Sequence, residues 1–205
     1  MRTIPSLALA AAAFTLALAP AAVVRAAEAD PAAQTVQAFG DALISTMKQG
    51  QSLGVKGRYK KLEPAIDKAF DLKAMARFAV GPAWSKFDEA GQTQVAEAFK
   101  RLSVASYAHN FDSYDGETIT VDPAVDTRGV DKVVKTKLIP KAGAATPLNY
   151  RLRATTGSWK IIDVFYQGNV SQLTTRRSDL AAVSATGDAK QVAASLNAQA
   201  DKLLK

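Results

Sequence analysis

The sequence predicts an α+β protein built around an antiparallel sheet. Three observations carry this reading. Residues from about 31 to 111 place apolar side chains at helical spacing and are punctuated by helix caps. Residues 118 to 166 change to short Val/Ile/Thr/aromatic runs bounded by Asp, Pro and Gly clusters. Residues after 170 return to helical spacing. Helices, then consecutive strands, then helices favour a segregated architecture over alternating βα units.

The first 26 residues stand outside this plan. Arg2 is followed by an Ala/Leu/Phe run from Leu7 to Leu18, a break at Pro20, and Val24-Arg25-Ala26 as a small-residue cleavage site. This is the pattern of a secretory signal peptide cleaved near Ala26. The apolar run is too short for a comfortable membrane span. Residues 27–205 then form a single domain, long enough for a sizeable core.

The first predicted helix covers 31–49, with Val36, Phe39, Leu43 and Met47 on one face and Gln37, Asp41 and Lys48 opposite. Gly50 to Gly57 reads as a turn region. A short helix follows over 58–69, with Leu62, Ile66 and Phe70 apolar. Asp71 caps the next, 72–80, which stops at Gly81-Pro82. Asp88 opens the longest helix, 89–111. Val95, Phe99 and Leu102 form one stripe on it; Val104, Tyr107 and Phe111 form another. A helix apolar on two sides is expected to lie between layers.

Strands are expected at Thr118–Val121, Lys132–Ile139, Leu148–Thr155 and Ser158–Tyr166. Thr156-Gly157 makes the last two a tight hairpin. The third strand alternates Tyr150, Leu152 and Ala154 with Asn149, Arg151 and Arg153, so one of its faces is wet. The fourth is apolar on both faces for most of its length and is expected to be central and covered. Two helices close the chain, 170–185 and 188–204, the second capped by Asp188.

Composition excludes several chemistries. There is no cysteine, hence no disulfide, thiol nucleophile or lipidated cysteine. His109 is the one histidine, on the stripe of Val95 and Leu102, and is expected to be a hydrogen-bonded core residue. With one histidine and no cysteine, a typical zinc site is not expected. No P-loop, G-x-G-x-x-G or G-x-S-x-G is present. Asp112, Asp115 and Glu117 lack the ligand set of a calcium loop and read as a solvated turn. The formal net charge is +7, of which Arg2 and Arg25 fall in the predicted leader. The remaining excess suits anionic membranes, acidic partners or plain solubility. It lacks the basic block of a nucleic-acid binder.

Asp163 lies mid-strand among apolar neighbours, and a buried carboxylate must be paired or protonated. Arg151 and Arg153 are its candidate partners. Arg176 and Arg177 are candidates to hold a lipid phosphate or a partner's carboxylate; pairing with Asp179 or exposure to solvent is the alternative. The remaining signal is an excess of large apolar side chains on both sides of the sheet. Phe78, Trp84, Phe87, Phe99, Leu102, Tyr107 and Phe111 lie on the helices, and Tyr150, Leu152, Trp159 and Ile161 on the strands. Such residues fill a core or line a dry cavity, and spacing does not separate the two.

The segment Ser158-Trp-Lys-Ile-Ile-Asp-Val-Phe-Tyr-Gln-Gly-Asn-Val-Ser171, with Arg176-Arg177-Ser-Asp-Leu180, resembles the MlaC, or toluene-tolerance auxiliary, family of periplasmic phospholipid-binding proteins. Phe70-Asp-Leu, Ala79-Val-Gly-Pro-Ala-Trp84 and Tyr107-Ala-His-Asn-Phe111 fit the same family. The wording at Gly81-Pro82-Ala-Trp84, Tyr107-Ala108 and Thr175-Arg-Arg-Ser178 is similar to its hopanoid-associated HpnM branch.

The resemblance covers nearly all of residues 27–205. It implies an NTF2-like (cystatin-like) sheet of four to five strands backed by helices, with an apolar pocket. It implies a phospholipid or hopanoid as cargo and no other cofactor. As partners it implies an inner-membrane ABC transporter carrying an MCE-domain protein and an outer-membrane lipoprotein complex. It implies no catalysis. Trp159, Asp163, Gly168 and Arg176 match as structural positions. Two rivals remain open: an enzyme on the same scaffold using Asp163 with Tyr150 or Tyr166, and an adaptor with a solid core and an exposed apolar patch.

Overall fold

The computed structural model describes residues 29–205. The predicted signal peptide lies outside the described residues. The chain forms α1 (Pro31–Met47), α2 (Gly50–Ala69), α3 (Leu72–Val80), a 3₁₀ turn (Gly81–Lys86) and α4 (Glu89–Asn110). Five strands follow: β1 (Thr118–Arg128), β2 (Asp131–Ile139), β3 (Thr146–Thr155), β4 (Ser158–Tyr166) and β5 (Val170–Ser171). Helices α5 (Gln172–Ala185) and α6 (Ala189–Leu203) end the fold. The sheet is antiparallel with order β1-β2-β3-β4-β5, which is the expected α+β arrangement.

Caps set the helix starts. Asp30, Asp71, Asp88, Ser171 and Asp188 each accept a backbone N–H from the first turn of the helix that follows. The 156–157 hairpin has positive φ at both turn residues, 47° at Thr156 and 82° at Gly157. That geometry matches the twist of the flanking strands.

β1 runs past the expected Val121 to Arg128, its register with β2 shifting between Val121 and Val125, and four further sequence expectations need correction. Gly50 to Gly57 is not an open turn: α2 begins at Gly50 and is broken only at Gly54, with φ 60° and ψ 173°. Arg58 holds this junction, its Nε donating to the carbonyl of Ala108 and Nη1 to that of Gly50, both at 2.7 Å. The helix expected from 170 starts at Gln172, because Val170–Ser171 pairs with Phe165 and Tyr166 as β5. β4 is covered on both faces but is not central. β5 pairs with only its end, and elsewhere its edge bonds Asp71, whose N–H donates to the carbonyl of Ile161 at 2.9 Å.

His109 is exposed instead of buried. Gly91 abuts Ala189, and Arg101 bonds Asn197 and Asp201, so α4 and α6 run side by side in one direction. α6 ends at Leu203 while α4 continues to Asn110, leaving its last turns without that neighbour.

The layering follows from the apolar faces. α1 lies on the sheet, with Val36, Phe39 and Leu43 nearly fully buried. α4 packs on α2 and α6 through Val95, Ala98, Leu102 and Ala105. Tyr107 and Phe111 of its other stripe face the sheet across an open space, joined there by Phe99, which the spacing had assigned to the Val95–Leu102 stripe.

Candidate functional site

That space is a cavity of about 480 Å³ between α4, the inner face of β2–β4 and the start of α5. Its volume lies within the usual range of small-molecule sites, about 300–1,000 Å³. The deep end is apolar and buried: Ile66, Phe70, Met75, Phe99 and Tyr150. Below it, edge-to-face aromatic contacts close the floor. The Phe39 ring lies 5.0 Å from Phe70, 5.2 Å from Tyr107 and 6.3 Å from Tyr150. The outer end is polar and exposed, formed by Asn110, Gln172 and Thr175 with the half-open Tyr166 ring.

Between these ends lie Ser103 and Ser106 of α4 and Arg176 of α5. Both serine hydroxyls donate back to the helix, to the carbonyls of Phe99 and Leu102 at 2.8 Å. Arg176 donates through Nη1 to Oε1 of Gln199 at 3.0 Å and lies 3.7 Å from Asp179. Burial pulls the Arg176 pKa down, and Asp179 offsets part of that. The guanidinium remains a cation at neutral pH. Burial also pushes the Tyr107 and Tyr150 phenols upward, so both stay neutral. The cavity is thus a dry floor with one cation near a polar mouth.

The sequence candidates divide. Phe99, Tyr107, Phe111, Tyr150 and Arg176 line the cavity. Leu102, Leu152 and Ile161 do not: they fill the core at 2% exposure or less. Trp84 and Phe87 pack on each other beside the 3₁₀ turn, with ring centroids 6.3 Å apart. Trp159 packs under α1, where Lys132 Nζ sits 4.6 Å over its ring and Thr35 donates to its carbonyl. Phe78 is on the outer surface of α3, 40% exposed, with the Arg177 guanidinium 5.3 Å over its ring. Arg177 therefore lies away from the cavity.

Sequence reading passed over Leu138, Leu148 and Val164, and the small polar residues of the wall. Phe99, Ser103, Ser106 and Asn110 share one face of α4, at steps of four, three and four residues. Serines interrupting an apolar stripe were the available signal, because a face filled by core would not leave them bare.

Asp163 is buried; of its two expected partners Arg151 pairs with it and Arg153 does not, and three hydrogen-bond donors that the sequence did not indicate complete its surroundings. Its carboxylate accepts from the N–H of Val164 at 2.8 Å, the N–H of Leu173 at 3.1 Å and the Ser171 hydroxyl at 2.7 Å. Arg151 is 3.8 Å away. Arg153 instead forms a two-point pair with Asp131, at 2.6 and 3.0 Å. Asp163 thus fastens the first turn of α5 to β4. Register places Tyr150 opposite Val164 and Arg151 opposite Asp163, so Asp163 faces away from Tyr150 and from Tyr166. The sheet separates that proposed catalytic set. The described residues hold no His/Cys/Asp/Glu group arranged for a metal ion. No helix among them is long and apolar enough to cross a membrane.

The profile of the family described as MlaC protein matches residues 37–198. The toluene tolerance protein ttg2D of Pseudomonas putida is 26% identical over 141 residues, 68% of this chain and 65% of that protein. The chain therefore spans about 65% of the length of that curated relative. A solved structure of the phospholipid-binding protein from Ralstonia solanacearum, in complex with a phospholipid, superposes with a TM-score of 0.74 at 21% identity. It covers 86% of this chain and all of that one, and establishes the shared fold. With the family profile spanning most of its length, this chain belongs to the MlaC protein family.

Proposed function

We propose that this protein is a periplasmic lipid carrier that takes up a phospholipid by its hydrocarbon and moves it between the two membranes. The observation that carries this is the gradient along one cavity, from aromatic floor through Arg176 to polar mouth. An amphiphile has the same gradient. Each methylene withdrawn from water contributes about 0.8 kcal/mol, and a phosphate near Arg176 gains a charge-assisted contact. The phospholipid held by the Ralstonia relative supports the same cargo class. A hopanoid, the cargo of the HpnM branch, suits the floor equally but makes less use of the cation.

Passive transfer needs donors and acceptors. An inner-membrane MCE-domain ABC transporter and an outer-membrane lipoprotein complex are the partners consistent with family membership. Energy for release then comes from the transporter. A cavity of this size counts against an adaptor with a solid core.

The test is uptake of labelled phosphatidylglycerol from vesicles by the purified protein. The wild type is expected to carry lipid away. Ser106→Trp, which fills the cavity wall, is expected to carry at least tenfold less. Equal uptake by both would contradict this site.

A further inference from the structure

A second concavity, of about 1020 Å³, opens on the other side of α3 and α5. Its floor is the outer face of the sheet, with Arg151, Arg153 and Ile162. Its walls carry Lys73, Arg77 and Phe78 of α3 and Arg177 of α5. One carboxylate, Asp71, shares this lining. Arg153 is spent on Asp131. Lys73, Arg77 and Arg177 form no ion pair among the described residues. Arg151 approaches Asp131 and Asp163 only at 4.0 and 3.8 Å, and its buried Nε has no hydrogen-bond partner. Phe78 stands among these cations as a large exposed ring.

We propose that this groove docks an acidic segment of a protein partner. Uncompensated cations around a trough attract carboxylates and steer their approach. Guanidinium groups donate to carboxylates at two points, and Phe78 offers an apolar anchor beside them. The floor arginines lie on the sheet between α3 and α5, a placement that suits an extended peptide segment better than a flat bilayer surface. Leu173 lines both this groove and the lipid cavity. A segment seated here would therefore touch the turn of α5 that carries Leu173, close to Arg176. The proposal rests on the carrier reading only in expecting a partner at all.

The test is photocrosslinking from benzoylphenylalanine placed at position 78 of the full chain in intact cells. The expected result is a protein adduct whose crosslinked peptide, identified by mass spectrometry, is net negative. Lys73→Glu with Arg77→Glu, both exposed, is expected to cut that adduct at least tenfold. Lys137→Glu with Lys141→Glu, exposed on the β2 side, is expected to leave it. Lipid copurifying with the Lys73/Arg77 variant should be unchanged, which separates this proposal from the carrier reading. A missing adduct, a neutral or basic crosslinked segment, a phospholipid adduct, or equal loss in both double variants would overturn it.

Discussion

At the residue scale, Asp163 and Arg176 use charge in opposite ways. Asp163 is consumed by the fold: three donors converge on its carboxylate, two of them from the first turn of α5 and its cap. Removing the carboxylate strands buried N–H groups and leaves Arg151 without its nearest anion there. Asp163→Ala is expected to cost about 3–5 kcal/mol, read from urea unfolding. Arg176 bonds Gln199, pairs with Asp179 at 3.7 Å as the sequence alternative expects, and lines the cavity with guanidinium N–H groups to spare. Arg176→Gln is expected to lower retention of a phosphate-bearing lipid severalfold while leaving uptake of uncharged diacylglycerol unchanged. Competitive loading from mixed vesicles measures both. An equal drop for the two lipids would show that Arg176 acts only through packing.

At the element scale, α4 decides where the site is. Its two stripes differ in what they meet: one is clamped between α2 and α6, the other faces empty space. Leu102→Ala should therefore cost about 2–5 kcal/mol, as a core truncation does, yet leave lipid uptake intact, the reverse of Ser106→Trp. Calorimetry and vesicle uptake on the same two variants distinguish them. Helix α6 depends on its cap. N–H donation from Gln191 and then Lys190 holds the Asp188 carboxyl below the usual aspartate value of 3.8. A depressed carboxylate stabilises the fold above its unfolded pKa and loses that contribution as pH falls through the folded value. Asp188→Asn keeps a capping oxygen and loses the titration. Its stability curve below about pH 4 should fall less steeply than that of the wild type, as acid unfolding would show.

Elements were legible where local chemistry fixes them. Caps at Asp71, Asp88 and Asp188, the Thr156-Gly157 turn and the Val36–Phe39–Leu43 stripe all stand as the sequence indicates. Tertiary facts were not. Neither the clamp of Arg58 on α2 nor the exposure of His109 past the end of α6 leaves a local trace. The site was half legible for a related reason. Size and hydrophobicity select Phe99, Tyr107, Phe111 and Tyr150, but also Leu152 and Ile161, which fill space. What makes a cavity is the small residue on an otherwise apolar face, such as Ser103 and Ser106.

At the scale of the whole molecule, the sheet is a partition. Its inner face and α4 enclose the apolar cavity; its outer face, with α3 and α5, carries the basic groove. The start of α5 belongs to both and is fastened to β4 through Asp163. Under the proposed function and docking, lipid and partner would occupy opposite sides of one body, and neither would require the other's side to unfold. The central claim is that the cavity holds lipid in the cell. It is tested most directly by purifying the protein without detergent from its native cells, extracting it with solvent, and identifying the extract by mass spectrometry. The account predicts a lipid in near-stoichiometric amount, with phospholipid the expected class. Protein that is empty, and stays empty after incubation with labelled liposomes, would contradict it.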